Sequence, residues 1–389
     1  MNRPATYLAL AFLSALPAWC PAAPGTLVVK AVNKLAFARP SQTIELRASD
    51  LAPLNEKNLE KIHVQGAEGK ELLCQAVDTK GEERPDEVIF QADFAPGETK
   101  TFTVTAGEKQ VYSPDQFKAF GRFVPERLDD FAWENDRIAH RMYGKALETA
   151  KGEMLSSSAV DVWAKRVPYM VINGWYKSGK YHTDTGEGAD FYPAGTSRGN
   201  GGNGLWAAEK LWVSKNFVHS RVLAAGPIRV MFELTYEPFD VNGTPVAEVK
   251  RITLDAGSNL NHYQSTYKPQ GDVALTCGIG IKKSDVVQKD FAAAQGALTT
   301  WEPVKADRKG SSHFASAIVV DPRQLEKMTE DGLNLLLLAK VPKDNVASYW
   351  AGFGWDYSGQ FADYQAWQTY VERFAQGLAS PIEVRITAP

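Results

Sequence analysis

Two neighbouring runs decide the fold: IRVMFELTYEPF at 228–239 and PVAEVKRITLDAG at 245–257. Apolar and polar side chains alternate along both, the period-two pattern of an antiparallel strand with one buried and one wetter face. Working outward, FVHSRVLAAG (217–226), LNHYQSTYK (260–268), VALTCGIGI (273–281) and ASAIVVD (315–321) repeat the pattern. Strands of this length, with almost no alternation of strand and helix, predict a large sandwich of antiparallel sheets.

Upstream, LVVKAV (27–32), TIELRA (43–48), KIHVQ (61–65), EVIFQA (87–92) and KTFTVT (100–105) are short β-rich runs separated by turn residues such as ADFAPGE at 92–98. Their spacing predicts a small β-sandwich. A less regular stretch over 110–128 links it to the rest. Helical periodicity is confined to 361–374, where Phe361, Tyr364, Trp367, Val371 and Phe374 recur three and four apart; Gly377 and Pro381 are read as its stop, and IEVRI returns as a last strand. The expected organisation is a signal peptide over 1–22, a small sandwich over 23–109 and a large sandwich over 110–389.

The first residues have the form of a secretory signal: Arg3, an apolar stretch from Tyr7 to Leu16, then Ala22 and Ala23, with cleavage expected near Ala22. Cys20 raises a lipoprotein signal as the alternative, but bulky Trp19 stands where lipid attachment needs a small residue. No other run reaches the ~20 apolar residues of a membrane span. The expected location is therefore periplasmic or secreted, without membrane insertion. With 43 Lys and Arg against 46 Asp and Glu, the chain carries no basic excess for nucleic acid, so none is expected as a partner. Cys74 and Cys277 flank apolar residues and are read as buried free thiols.

Two segments carry possible chemistry. In DDFAWENDRIAHRMYG (129–144), Arg137 and Arg141 are four apart and share a face in a helix or a strand; in a strand Trp133, Asn135 and Tyr143 join it. Paired guanidiniums beside an aromatic platform suit a sugar carboxylate or sulfate. The competing reading is an ion-paired structural strand, neutralised by Asp129, Asp130, Glu134 and Asp136. In YHTDTGEGADFYPAGTSRGNGGNG (181–204), seven glycines exclude a regular helix or central strand, which predicts a long loop. His182, Asp184, Glu187, Asp190 and Arg198 make it polar, and its acidic trio is a candidate for a divalent cation, although its spacing matches no standard calcium loop.

Several matches are discounted. Residues 199–204 fit GxGxxG without the βαβ unit that dinucleotide binding requires, and 195–199 fit GxSxG around Ser197 without a following helix. His219 and His262 lie on strand-like runs and are read as structural, while His63 and His313 carry no further signal. Trp350, Trp355 and Tyr357 form an aromatic segment that either edges a sugar groove or packs a core.

The runs FAWENDRIAHRMYG (131–144), VDVWAKRVPYMVINGWY (160–176) and YHTDTGEGADFYPAGTSRGNGGNGLW (181–206) resemble the bacterial domain-of-unknown-function family numbered 4861, over nearly the whole mature chain. The chain departs from the family's pattern at Asn200 and His140. The resemblance implies an exported protein of a polysaccharide-utilisation system, related to a dehydratase of ulvan oligosaccharides, on a β-supersandwich like that of galactose mutarotases. It thus implies elimination of water from a uronate-containing oligosaccharide, with no cofactor required. On that expectation Arg137 and Arg141 clamp the carboxylate, His182 and Tyr143, with His140 next, transfer protons, and Trp133, Asn135, Arg198, Trp206 and Trp355 hold the sugar. Two other readings stand beside it: a non-catalytic oligosaccharide-binding protein, and a metal-assisted glycoside hydrolase using Asp184, Glu187 and Asp190.

Overall fold

The computed structural model describes residues 25–284, 287–304 and 312–387, so the expected signal peptide, with Cys20 and Ala22, lies outside the described residues. The two deciding runs form the strands Arg229–Val241 and Thr244–Asp255, paired antiparallel from Arg229 opposite Asp255 to Val241 opposite Thr244. They belong to an eight-stranded antiparallel sheet that continues through Leu260–Pro269, Val346–Trp355, Ser312–Val320, Ala297–Val304 and Gln288–Ala292, with Phe217–Ala225 at the other edge. Along Thr244–Asp255 buried and half-buried residues alternate strictly from Val246 onward. The inward set includes Glu248 and Lys250 as well as Val246, Ile252 and Leu254, so the core carries a polar centre.

The inner face of this sheet packs on two five-stranded sheets. One runs Gly188–Ala189, Asp161–Lys165, Ala139–Met142, Asp130–Asn135 and Ala119–Val124; the other runs Lys210–Trp212, Asn200–Ala207, Thr276–Lys282, Asn334–Lys340 and Leu325–Glu330. A bridge from Val160 to Gly199 joins the two. All three sheets feed one apolar core, in which Phe131, Phe232, Leu254, Ile279, Leu337 and Phe353 take part. The predicted sandwich is present, with its second layer divided in two.

The N-terminal runs form a four-stranded sheet and a three-stranded sheet over a second core around Leu46, Val64, Phe90 and Phe102. The chain's last strand, Glu383–Thr387, pairs with Thr26–Val32 in the first of these sheets. The small sandwich is thus completed by residues expected to lie in the large one. Cys74 and Cys277 are free and buried, as expected.

The C-terminal helix spans Tyr364–Ala379 and runs through Gly377. Gly377 does not stop it because the missing β-carbon admits Arg39, whose Nη1 donates to the Ser380 carbonyl at 2.8 Å and whose Nη2 donates to Gly377 O at 3.4 Å. That guanidinium satisfies the exposed carbonyls at the helix end, where a cation also meets the negative end of the helix dipole. A helix of seven residues, Ile172–Ser178, was not expected from the sequence. It starts where the Glu134 carboxylate accepts from the amides of Val171 and Ile172, held there by the buried Lys165 ammonium at 2.7 Å.

Candidate functional site

Strand alternation sends successive residues of Asp130–Asn135 to opposite faces. Phe131 and Trp133 enter the large core, whereas Asp130 and Ala132 face the segment that follows Lys165. Arg141 and Asp161, opposite each other on neighbouring strands, meet on that outer side. The polar loop then crosses over them. Arg141 Nε donates to Asp161 Oδ2 at 2.8 Å and its Nη2 to Asp190 Oδ2 at 3.0 Å, while Asp130 Oδ2 lies 3.8 Å from Nη1. Tyr143 donates its hydroxyl to Asp161 Oδ2 at 3.0 Å. One guanidinium therefore faces three carboxylates in a buried cluster, and the second predicted segment does converge on Arg141.

The electrostatics follow from that imbalance. Burial works against the Arg141 charge, yet Asp161 and Asp190 hold its pKa well above the usual arginine range. Burial, with Asp161 alongside, pushes the Asp190 carboxyl up to about 8; burial also pushes Asp130 up to about 7, and Arg141 offsets only part of each shift. Tyr143 is driven well above the usual phenol range by burial and by Asp161, so it remains protonated at neutral pH. Perturbed carboxyls of this kind mark candidate functional sites.

His182 stands at the surface of this cluster. Its side chain is 63% exposed, and Nδ1 lies 3.4 Å from Asp190 Oδ2. The neighbouring Tyr181 ring stacks on Trp163 at 4.8 Å and its hydroxyl accepts from Arg127 Nε at 3.0 Å. Arg127 and Asp161 were not singled out from the sequence, although Asp161 lies in the 160–176 run quoted above; only strand pairing and loop closure bring them here.

Other expected site residues lie elsewhere. Arg137 is on the turn between the strands of Trp133 and Arg141, where it donates to Asn259 Oδ1 at 3.0 Å and faces a cleft on the outer side of the eight-stranded sheet. The two arginines therefore do not form a clamp, because the strand of Arg141 begins only at Ala139 and the turn rotates Arg137 away. Trp133 is fully buried and donates Nε1 to Asn261 Oδ1 at 2.7 Å, which makes it core rather than a platform. Asn135 is also fully buried, accepting from the amides of Arg137 and Ile138 and donating to the carbonyls of Asp255 and Ser258. It shapes the turn and is out of reach of a sugar.

His140 stacks on Trp133 and meets Phe353 edge to face, with Nδ1 on the Asp161 carbonyl at 3.2 Å and Nε2 accepting from Asn261. Burial pushes its pKa down to about 3, so it is a neutral structural histidine. Arg198 is buried away from the cluster, donating to Ser158 Oγ and to the Thr196 carbonyl. Trp206 is half-buried on the other five-stranded sheet. Trp355 is buried, its ring covered by the Arg166 guanidinium at 4.8 Å, and Arg166 pairs with Asp184. The expected acidic trio also separates: Glu187 accepts from Trp175 Nε1 and Tyr169, and Asp190 belongs to Arg141. Among the described residues no group of three His, Cys, Asp or Glu side chains is placed to hold a metal ion.

The glycine-rich run 200–204 is not part of the loop, contrary to expectation. It forms the strand Asn200–Ala207 between two others, because Gly201, Gly202 and Gly204 lie where a β-carbon would strike Ala351, the Arg198 carbonyl and the Trp212 carbonyl. The strand needs glycine for close approach, and at the bulge between Asn200 and Gly202 also for the φ of +92° at Gly201.

Comparison with known proteins gives a consistent result. Residues 32–384 match the family described as Domain of unknown function (DUF4861). The chain is 31% identical over 371 residues to an uncharacterised protein, P7, of Formosa agariphila, covering 91% of this chain and 92% of that protein. Among solved structures it is similar to a glycosyl hydrolase family 38 protein of Enterococcus faecalis, with TM-score 0.51 and 10% identity over 94% of this chain and 48% of that one. An alpha-mannosidase of the same organism aligns with TM-score 0.49 and 10% identity, over 94% of this chain and 46% of that one. The chain spans about half the length of these solved structures, and at this identity the first likeness is one of fold.

Proposed function

The chain belongs to the DUF4861 family, and from that premise we propose that it is an exported carbohydrate-active enzyme that eliminates water from uronate-containing oligosaccharides. One observation carries the reading: an exposed histidine, His182, rests on a buried aspartate, Asp190, which a buried arginine holds in place. A general base needs solvent access, a fixed orientation and a partner for the charge it gains. His182 has the first two, and it gains the third once the Asp190 carboxyl ionises.

In this reading the His182 imidazole takes the proton from the carbon beside the sugar carboxylate. The electron pair forms a carbon–carbon double bond as the neighbouring carbon–oxygen bond breaks, and the departing hydroxyl leaves as water with the proton that His182 gained. Asp190 steadies the imidazolium. Arg141, Asp161 and Tyr143 are positioning residues, because each is buried and acts through Asp190 or its neighbours. Arg127, partly exposed and bonded to Tyr181 beside His182, is the cation assigned to the substrate carboxylate, which takes the place of its present partner Glu153. The signal-like N-terminus of the sequence supports export, and no helix among the described residues is long and apolar enough to cross a membrane.

Purified protein incubated with saturated uronate oligosaccharides, whose carbon beside the carboxylate still carries its proton, is expected to release one water per reacting uronate, followed by mass spectrometry. His182→Ala should abolish the release. Saturable binding with unchanged sugar mass would identify a binding protein instead, and full turnover by His182→Ala would remove this histidine from the chemistry.

A further inference from the structure

A cleft of about 1040 Å³ lies away from His182, between the N-terminal sandwich, the outer face of the eight-stranded sheet and the C-terminal helix. Its floor carries Arg229, Arg251, Thr253, His262, Gln264 and Trp350, alternate residues of adjacent strands. One wall is the strand Arg39–Arg47, and the other is a single helix face with Ala366, Thr369, Tyr370 and Arg373 at spacings of three and four. The volume suits an extended ligand rather than a lone ion.

The lining is unbalanced in charge. Six arginines face it, Arg39, Arg47, Arg137, Arg229, Arg251 and Arg373, against the three carboxylates Glu45, Glu87 and Asp255. Arg229 is taken up by those carboxylates and Arg251 by Glu233. The other four make no ion pair with any described residue: Arg137 holds Asn259, Arg39 holds helix carbonyls, and Arg373 lies over the Phe37 ring. With Arg39 committed to the helix end, the Arg47, Arg137 and Arg373 guanidiniums remain without a carboxylate partner among the described residues and are spread along the cleft rather than gathered at one point, which suits a ligand with several separated anionic groups. Between them lie the stacked rings of His262 and Trp350, 4.5 Å apart, and the amide and hydroxyls of Gln264, Thr253 and Thr369. Flat ring faces beside neutral hydrogen-bonding groups match sugar rings and their hydroxyls.

We infer that this cleft binds an anionic oligosaccharide, one that presents carboxylate or sulfate groups on successive sugars. The site is separate from the His182 cluster and does not rest on that cluster being catalytic.

The test is a titration of full-length His182→Gln protein, which cannot turn over a substrate by the route above, followed by tryptophan fluorescence and calorimetry. The probes are oligogalacturonates and chondroitin sulfate oligosaccharides, compared with neutral galacto-oligosaccharides, inorganic sulfate and a single-stranded oligodeoxynucleotide. An acidic oligosaccharide is expected to bind saturably and more weakly as salt rises. Arg137→Ala and Arg373→Ala should each weaken it about tenfold, with unchanged circular dichroism. Equal binding of the neutral sugars or of sulfate alone, tighter binding of the oligonucleotide, absence of binding by every acidic sugar, or indifference to both substitutions would overturn the inference. Binding retained while the wild-type protein shows no elimination would overturn the proposed function alone.

Discussion

Nδ1 of His182 lies 3.4 Å from Oδ2 of Asp190, an exposed ring on a carboxyl whose side chain is only 6% exposed. The same Asp190 oxygen accepts from Arg141, so the surface histidine is linked through one atom to the buried cluster. Removing the base is expected to cost activity on the scale of general-base catalysis. His182→Ala should lower kcat on uronate oligosaccharides by about 10²-fold or more, with the melting temperature unchanged because the ring is exposed. Steady-state kinetics beside a thermal melt separates the two effects.

Asp190 should set a pH limb. Burial holds its carboxyl up to about 8, so near neutrality it is largely protonated and gives His182 no negative partner. Turnover is therefore expected to rise as pH passes through about 8 and Asp190 ionises. Asp190→Asn should flatten this limb in a kcat profile, and an unchanged profile would detach the carboxyl from the base.

The Asp130 carboxyl couples the cluster to stability. In the unfolded chain it titrates near its ordinary 3.8; in the fold burial raises it to about 7, and its Oδ1 has no hydrogen-bond partner among the described residues. Between these values the folded protein keeps a proton that the unfolded chain releases. The contribution is complete below about 3.8 and is lost as pH rises through about 7. Thermal melts from about pH 5 to about pH 8 should therefore show a falling midpoint, with a shallower fall in Asp130→Asn because an amide cannot ionise.

Gly188 sets the position of the loop. It pairs with Lys165 at φ +114°, where a β-carbon would collide with the Ala164 carbonyl. Gly188→Ala should displace the strand Gly188–Ala189 and with it Asp190, lowering kcat and costing about 1–3 kcal/mol in denaturant unfolding. Wild-type kinetics in this variant would show that Asp190 needs no fixed place.

Trp367 tests how the C-terminal helix is held. It is fully buried against Phe361 and Tyr370, and its Nε1 donates to the Ser316 carbonyl at 3.0 Å. Trp367→Ala should destabilise by about 3–5 kcal/mol, read from urea unfolding. Trp367→Phe should recover most of the packing but leave that carbonyl without its donor.

How much of this was legible beforehand depends on the range of each interaction. The alternation through 228–257 is a local property, because successive side chains on a strand must face opposite ways; it was enough to predict long antiparallel strands and the sandwich class. The helix near the C-terminus was legible for the same reason, although its continuation past Gly377 was not, since that rests on Arg39, more than 300 residues earlier in the chain. The polar loop stood out by composition, and within it Asp190 meets Arg141 while His182 stands on Asp190.

The remainder was decided by tertiary structure. Arg137 and Arg141 are four apart in a segment that reads as one strand, but Asn135 turns the chain between them and sends them to different surfaces. Trp133, Asn135 and His140 have the residue types of a sugar site, yet pairing places each where it faces protein rather than solvent. The glycines at 201, 202 and 204 looked like loop residues because composition reports flexibility, whereas here Gly201 answers to Ala351, far along the chain, and Gly202 and Gly204 to the Arg198 and Trp212 carbonyls that the fold brings against them. Local periodicity determines which elements form; which side chains meet, and which of them meet water, is fixed only when the sheets stack, because a residue's burial depends on surfaces that its own segment does not contain.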